Sequence, residues 1–278
     1  MSIRLYYFSG TGNSLFVAKE LQRRLPDSEL VPIVKSLNNG SYKTECDAVG
    51  FIFPSHGMTI PIAVKAFTEK MIVKDSTYFF AVVTRGGTVF RGFQLIEGAL
   101  AGQGKKLHAR FAITMATNDP KLKSYKQLSD SELGAIEKDV IREVESIAKT
   151  IAGRETNDFT DDGILFSRNK TVNRFFEFLI PTMVHNFSPK IKKYFYAKEC
   201  CIGCGSCERV CLSGKIKIVD KKPVWQQNVD CYLCYSCINY CPTRAIQIHT
   251  KIWMKSYTEK NERYSHPYAG VSDIEKQK

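Results

Sequence analysis

Eight of the ten cysteines lie in two runs of identical spacing near the C-terminal end of the chain. Cys201, Cys204, Cys207 and Cys211 form one C-x2-C-x2-C-x3-C run, and Cys231, Cys234, Cys237 and Cys241 form the other, followed by Pro242. A cubane needs four thiolates aimed at one small volume. A tight loop with Cys at every third position turns three side chains inward. Gly203 and Gly205 suit such a wrap, because backbone amides must come close to sulfide. Structural zinc pairs two C-x2-C units over a longer gap, without four Cys in one short run. A disulfide framework is not expected, since no secretory signal precedes the chain. The chemistry these residues point to is single-electron transfer at low potential through two 4Fe–4S clusters.

This spacing resembles that of a bacterial-type ferredoxin. In that pattern the fourth Cys of each run opens a helix and ligates the other cluster. The resemblance implies one ligand set of Cys201, Cys204, Cys207 and Cys241, and a second of Cys231, Cys234, Cys237 and Cys211. Cys200 precedes the first ligand and should point away, with slippage onto it as the alternative. Cys46 precedes an apolar strand and reads as an ordinary buried thiol. Leu212 stands where such ferredoxins often carry Pro, which loosens a turn without removing a ligand.

A second chemical motif lies near the other end. Ile3–Phe8 reads as a short buried strand running into Ser9-Gly10-Thr11-Gly12-Asn13-Ser14. Leu15, Phe16, Ala18, Leu21 and Leu25 then keep helical spacing up to Pro26. Strand, small-residue loop and helix N-terminus together make an anion site. Gly10 and Gly12 let the backbone curl, and Ser9, Thr11, Asn13 and Ser14 offer donors. The loop has no Lys and does not fit G-x-G-x-x-G, which disfavours an ATP loop and a dinucleotide fingerprint.

The elements around this loop alternate. Strands read near Leu30–Val34, Ala48–Phe53, Tyr78–Val83 and Ala109–Met115, and helices near Pro61–Met71, Phe90–Gly102 and Ser129–Ile151. Alternation implies a parallel, doubly wound α/β sheet with ligands at the carboxyl ends of its strands. The loop Phe8–Ser14 resembles the FMN-phosphate loop of flavodoxins, which hold this phosphate with amides and hydroxyls and no counter-cation. The resemblance implies the flavodoxin-like strand order 2-1-3-4-5. It also implies that Ser55, His56 and Gly57, with Thr84, Arg85, Gly86 and Gly87, flank the flavin ring. His56 and Arg85 are the weak catalytic candidates. Neither of these loops offers an aromatic to stack on the ring. Met58 or Phe90 would have to substitute, or the ring face is open.

Residues 1–155 therefore read as a flavodoxin-like, FMN-binding domain and 197–250 as a small α+β ferredoxin domain with two 4Fe–4S clusters. Between them, 156–196 is an aromatic-rich, helical linker carrying Phe166, Phe175, Phe176, Phe178, Phe187, Tyr194, Phe195 and Tyr196. It reads as a bridge packing one module on the other. The other reading is a membrane-surface helix beside Lys190, Lys192 and Lys193. Lys215–Val219 and Pro223–Trp225 read as a hairpin, with Ala245–Ile248 pairing similarly. Residues 251–278 read as a polar tail, poorly ordered after Thr258.

The formal charge is +12. Two oxidised clusters with their thiolates would carry roughly −2 each and a flavin phosphate about −2, leaving an excess of about +6. That excess suits steering of an acidic redox protein such as a ferredoxin. Nucleic-acid binding is disfavoured, because the Lys and Arg residues are scattered. No apolar stretch reaches about 18 residues, so no transmembrane segment is expected. Cysteine usage points to a reducing cytoplasm and an anaerobe. As a whole the chain resembles the flavodoxin–ferredoxin fusion family, through the N-terminal loop, Lys193–Ala197 and the cysteine runs up to Gln247. The resemblance implies an oxidoreductase relaying single electrons between clusters and FMN to an unidentified acceptor. The alternative is a pure electron carrier between protein partners.

Overall fold

The computed structural model describes residues 1–73, 77–159, 161, 163, 169–186, 194–248 and 255–278. Its N-terminal half runs β1 (Ile3–Tyr7), α1 (Asn13–Arg24), β2 (Ser28–Pro32), α2 (Ile33–Asn39), β3 (Lys43–Thr44), β4 (Ala48–Pro54), α3 (Ile62–Thr68), β5 (Ile72–Val73), β6 (Tyr78–Arg85), α4 (Phe93–Ala101), β7 (Ala109–Thr114) and α5 (Asp130–Ala152). Five of these strands form one parallel sheet in the order β2-β1-β4-β6-β7. With β3 and β5 set aside as a separate two-stranded pair, this is the expected order 2-1-3-4-5.

Strands β4 and β6 are buried along almost their whole length, as a sheet covered on both faces requires. One face packs Leu15, Ala18 and Leu21 of α1 against Val144, Ile147 and Ile151 of α5. The other packs Ile33 and Val34 of α2, Val64 and Phe67 of α3 and Ile96 and Leu100 of α4. Helix α5 starts on a capping box between Ser129 and Glu132.

The second strand ends earlier than its apolar run suggests. Pro32 takes a φ of −66° and precedes α2, so Ile33 and Val34 enter the core from a helix. A short apolar run does not by itself separate strand from helix.

The C-terminal half continues with α6 (Lys170–Asn186), β8 (Phe195–Ala197), α7 (Ser206–Arg209), β9 (Ile216–Val219), β10 (Lys222–Trp225), α8 (Ser236–Asn239), β11 (Ile246–Ile248) and α9 (Val271–Glu275). β9 and β10 form the expected hairpin, and β11 pairs antiparallel with β8. Helix α6 lies on the second loop, with Val184 and Ile180 against the bare face of Gly57, while Phe175 and Phe178 stay exposed. Phe166, Phe187, Lys190, Lys192 and Lys193 fall outside the described residues.

The tail corrects the expectation of a poorly ordered segment. Ile274 is fully buried in the same apolar cluster as Val210, Leu212 and the sheet residues Phe51 and Phe53. Ala269 joins the cluster under α1, and Gln277 is fully buried. Each fully buried Ile or Leu contributes roughly 1.5–3 kcal/mol, enough to hold an otherwise polar segment. The C-terminal half thus shares the core of the sheet rather than hanging from it.

Candidate functional site

The two cysteine runs fold as copies of one another. Positions thirty residues apart adopt the same left-handed backbone: Gly203 (φ 68°) and Leu233 (55°), Gly205 (78°) and Tyr235 (53°), Gly214 (70°) and Arg244 (53°). A non-glycine residue there costs roughly 1–2 kcal/mol. The second copy is held to it by packing. Leu233 is buried, and the Lys121 ammonium sits 4.3 Å from the centre of the Tyr235 ring. Burial works against the charge on Lys121, but Tyr235 and Asp119 more than offset it and raise its pKa.

Cys241 of the second run lies beside three cysteines of the first. Cys201, Cys204, Cys207 and Cys241 line one hollow with Ile202, Gly203, Ile218 and Ile246. Burial raises the Cys207 thiol to about 11, helped by Cys241, Cys204 and Cys201. Burial likewise raises Cys237 well above the usual range, helped by Cys211, Cys234, Cys231 and Cys207. All ten cysteines are free of disulfides. Among the described residues no three His, Cys, Asp or Glu groups converge on one metal ion. A cubane is bound at its separate corners, so its thiolates stand further apart than ligands of a single ion. The residues fit the group: four thiols per set, closed by the same backbone wrap. The Cys200 thiol donates to the Thr243 carbonyl, with Sγ at 3.7 Å. Cys46 accepts from the Thr44 hydroxyl at 3.5 Å.

The sets differ in depth. Cys204 is exposed, and the Ser206 hydroxyl lowers its pKa. Cys231, Cys234 and Cys237 are half-buried by surface area, yet burial raises all three thiols, Cys231 to about 12. Beside Cys231 lies the buried Lys215, whose ammonium donates to the carbonyls of Gln226 (2.9 Å) and Val229.

The inner set meets the N-terminal loop directly. An ideal Cβ on Gly10 would lie 2.5 Å from the Cys234 carbonyl oxygen, so only glycine allows this approach. The Ser236 hydroxyl donates to the Gly10 carbonyl at 2.7 Å. Gly12, at φ 100°, packs its bare face on Ala269 and His266. The glycines expected to curl around a ligand thus also serve contact with the C-terminal half. The tail closes the loop further. Gln277 accepts from the Ser9 amide and donates to the Ser9 carbonyl, both at 2.9 Å. His266 donates its amide to the Thr11 carbonyl at 2.7 Å, and the Tyr264 hydroxyl donates to the Asn13 side chain at 2.8 Å.

The loop retains the donors an anion needs. Ser9 Oγ accepts from the Gly12 amide at 3.1 Å, and Thr11 Oγ1 accepts from the Asn118 side chain at 2.6 Å. Each hydroxyl therefore keeps its own hydrogen to give. Ser14 and Thr84 share a hydrogen bond of 2.8 Å, and Asn13 donates its side chain to the Ala116 carbonyl at 3.0 Å. Ser9, Thr11, Asn13 and Ser14 are all buried. Orphan amides at a helix N-terminus with spare hydroxyl hydrogens fit a phosphate.

The second and third loops leave the same edge of the sheet. Ser55 Oγ is buried without a partner, an orphan that fits a polar ligand atom. His56 packs edge-on against Phe8, and burial, Lys121 and His185 lower its pKa to about 4, so it is neutral near pH 7. The Arg85 guanidinium is ion-paired with Asp161, which also accepts from the Phe90 amide at 2.9 Å, while Arg85 Nε is buried without a partner. Gly86 lies on Thr117, whereas Gly87 faces open space. Phe90 turns into the core against Phe53 and Phe93 and does not serve as a stacking residue. The sequence did not mark Asn118, Asp161, Ser236, His266 or Gln277. Their side chains are of common surface types, and only the fold brings them to the loops.

No family model matches the chain, and neither does any curated protein. Among solved structures, the Streptococcus pneumonia TIGR4 flavodoxin aligns at 13% identity and TM-score 0.35, over 55% of this chain and 99% of that one. An FMN-dependent NADH-azoreductase from Bacillus anthracis aligns at 12% identity and TM-score 0.35, over 55% of this chain and 100% of that one. An NAD(P)H:quinone oxidoreductase from Methanothermobacter marburgensis aligns at 11% identity and TM-score 0.36, over 58% of this chain and 99% of that one.

Proposed function

We propose that the chain is an iron–sulfur flavoprotein that relays single low-potential electrons between two 4Fe–4S clusters and FMN in a reducing cytoplasm. The observation that carries this reading is the contact of Cys234 and Ser236 with Gly10, which sets the inner cysteines against the loop that suits a phosphate. Bound there, the clusters would supply one-electron transfer and FMN the exchange between one- and two-electron steps.

The chain's own residues position and insulate. Ser9 and Thr11 would donate to the FMN phosphate, and the α1 N-terminus would favour its charge. Ser55 would meet the ring. Cys201, Cys204, Cys207 and Cys241 would hold the outer cluster, and Cys211, Cys231, Cys234 and Cys237 the inner one. Raised thiol pKa values mean that protons must leave as metal enters. The exposed Cys204, beside the exposed Ile202, makes the outer set the point where a redox protein such as a ferredoxin would exchange electrons.

One observation favours the carrier alternative over reduction of a small acceptor. The Arg85 guanidinium, the cation an acidic acceptor would use, is ion-paired with Asp161. Anaerobically purified protein should hold about eight irons and one FMN per chain. A steady-state assay with reduced ferredoxin then separates the readings. Turnover of a small molecule sinks the carrier, and exchange with protein partners alone sinks the enzyme. Protein that binds neither iron nor flavin overturns the proposal.

A further inference from the structure

Ser236 is fully buried at the start of α8. Its hydroxyl lies 2.7 Å from the Gly10 carbonyl oxygen and 3.1 Å from Cys234 Sγ. A serine has one hydroxyl hydrogen to give. The carbonyl can only accept, and a cysteine sulfur that ligates metal is a thiolate that also only accepts. Two acceptors, one on each half of the chain, therefore compete for one hydrogen.

The repeat supplies its own control. Ser206 occupies the matching position in the first run, and its hydroxyl lies 3.5 Å from Cys204 Sγ. Among the described residues Ser206 has no second acceptor. The outer set thus has a longer serine–sulfur contact, in which the Cys204 thiol donates to Ser206 Oγ, and lacks the link to the loop.

We propose that Ser236 couples the inner cysteine set to the phosphate loop by sharing its hydroxyl hydrogen between Cys234 Sγ and the Gly10 carbonyl. The inference rests on the cofactor reading above. A hydrogen bond to a ligating sulfur favours the more negative state and raises the potential of the centre. Reduction of the inner centre by a one-electron carrier protein would raise the negative charge on its ligand Cys234 Sγ, turn the Ser236 hydrogen toward sulfur and leave the Gly10 carbonyl without its donor. No bond to a heavy atom breaks and no proton leaves the chain. Occupancy of the loop and the potential of the inner centre are then linked, and linkage is reciprocal. The outer centre stays out of this exchange.

The test compares wild type, Ser236→Ala and Ser206→Ala, each in flavin-loaded and flavin-stripped form. Potentials of the two centres are read by EPR-monitored titration, and the FMN Kd by quenching of flavin fluorescence. In wild type the potential of one centre should shift on flavin loading. Ser236→Ala should lose that shift and bind FMN about 2- to 12-fold more weakly, the worth of one hydrogen bond. Ser206→Ala should keep both the shift and the wild-type Kd, while the other centre moves to lower potential. Loss of the shift in both variants, or in neither, overturns the coupling. Should Ser236→Ala fail to assemble, Ser236→Thr keeps a hydroxyl, and a lost shift in a Thr variant with full iron content also overturns it. Wild type lacking iron or FMN defeats the cofactor reading itself, a distinct result.

Discussion

The Cys234 carbonyl oxygen stands where the side chain of Gly10 would begin, 2.5 Å from its Cβ position. This approach joins the inner cysteine run to the first loop of the sheet. Gly10→Ala should force the two apart at a cost of about 1–3 kcal/mol, the usual penalty of overpacking. Thermal unfolding would show a lower Tm, and an unchanged Tm would mean the contact is not made.

The grouping of cysteines predicts iron content. Cys204→Ser should remove the outer centre and Cys234→Ser the inner one, each leaving about four irons of eight. Retention of the full count in either variant would show that the grouping is wrong.

Gln277 supplies both hydrogen-bond partners of the Ser9 backbone. Gln277→Ala would leave a buried amide and a buried carbonyl unpaired, at about 1–3 kcal/mol for the lost partners. Hydrogen exchange at the Ser9 amide should accelerate in proportion. Wild-type protection at that amide would remove the tail from the account of the loop.

Acid should loosen the same contact. His266 is buried, stacked on Phe16 at 4.5 Å, and burial followed by Lys19 lowers its pKa from 6.5 to about 4. Between those values the unfolded chain binds a proton that the folded chain refuses. Stability is therefore full above about pH 6.5 and falls as pH drops toward 4, by on the order of 2 kcal/mol. His266→Phe keeps the stack and should flatten the slope of Tm between pH 7.5 and 5. A slope equal to that of wild type would assign the acid sensitivity to other groups, with His56 the next to test.

Electron entry should depend on charge near the outer set. Lys221 packs on Gly203, and Lys221 and Lys222 are exposed at the turn between β9 and β10. Replacing both with Glu should slow reduction by an acidic carrier protein at low salt and weaken its salt dependence. Unchanged rates would move the entry point elsewhere.

Much of this was readable from short-range pattern. The cysteine runs and Ser9–Ser14 are local motifs, and the strand–helix alternation implies a parallel sheet covered on both faces, while its strand order comes from the resemblance of the first loop. What escaped reading was the set of contacts between distant residues. Asp161 on Arg85, Asn118 on Thr11 and Gln277 on Ser9 each join segments with no shared periodicity. The tail hides its order for a related reason. Its polar composition hides the one side chain, Ile274, that anchors it in the core. Pro32 shortened a strand whose apolar run continues into a helix.

The bonds from Gln277 to Ser9 close a loop 268 residues long. A chain made from its N-terminus cannot complete that closure until residue 277 is free to fold. The sheet can form earlier, since its pairings lie within the first 114 residues. A nascent chain would thus pass through a stage with its sheet folded and the first loop still uncovered. Assembly order follows: anything to be enclosed beneath these residues has its widest access before Gln277 docks, and afterwards must wait for Gln277 to leave Ser9.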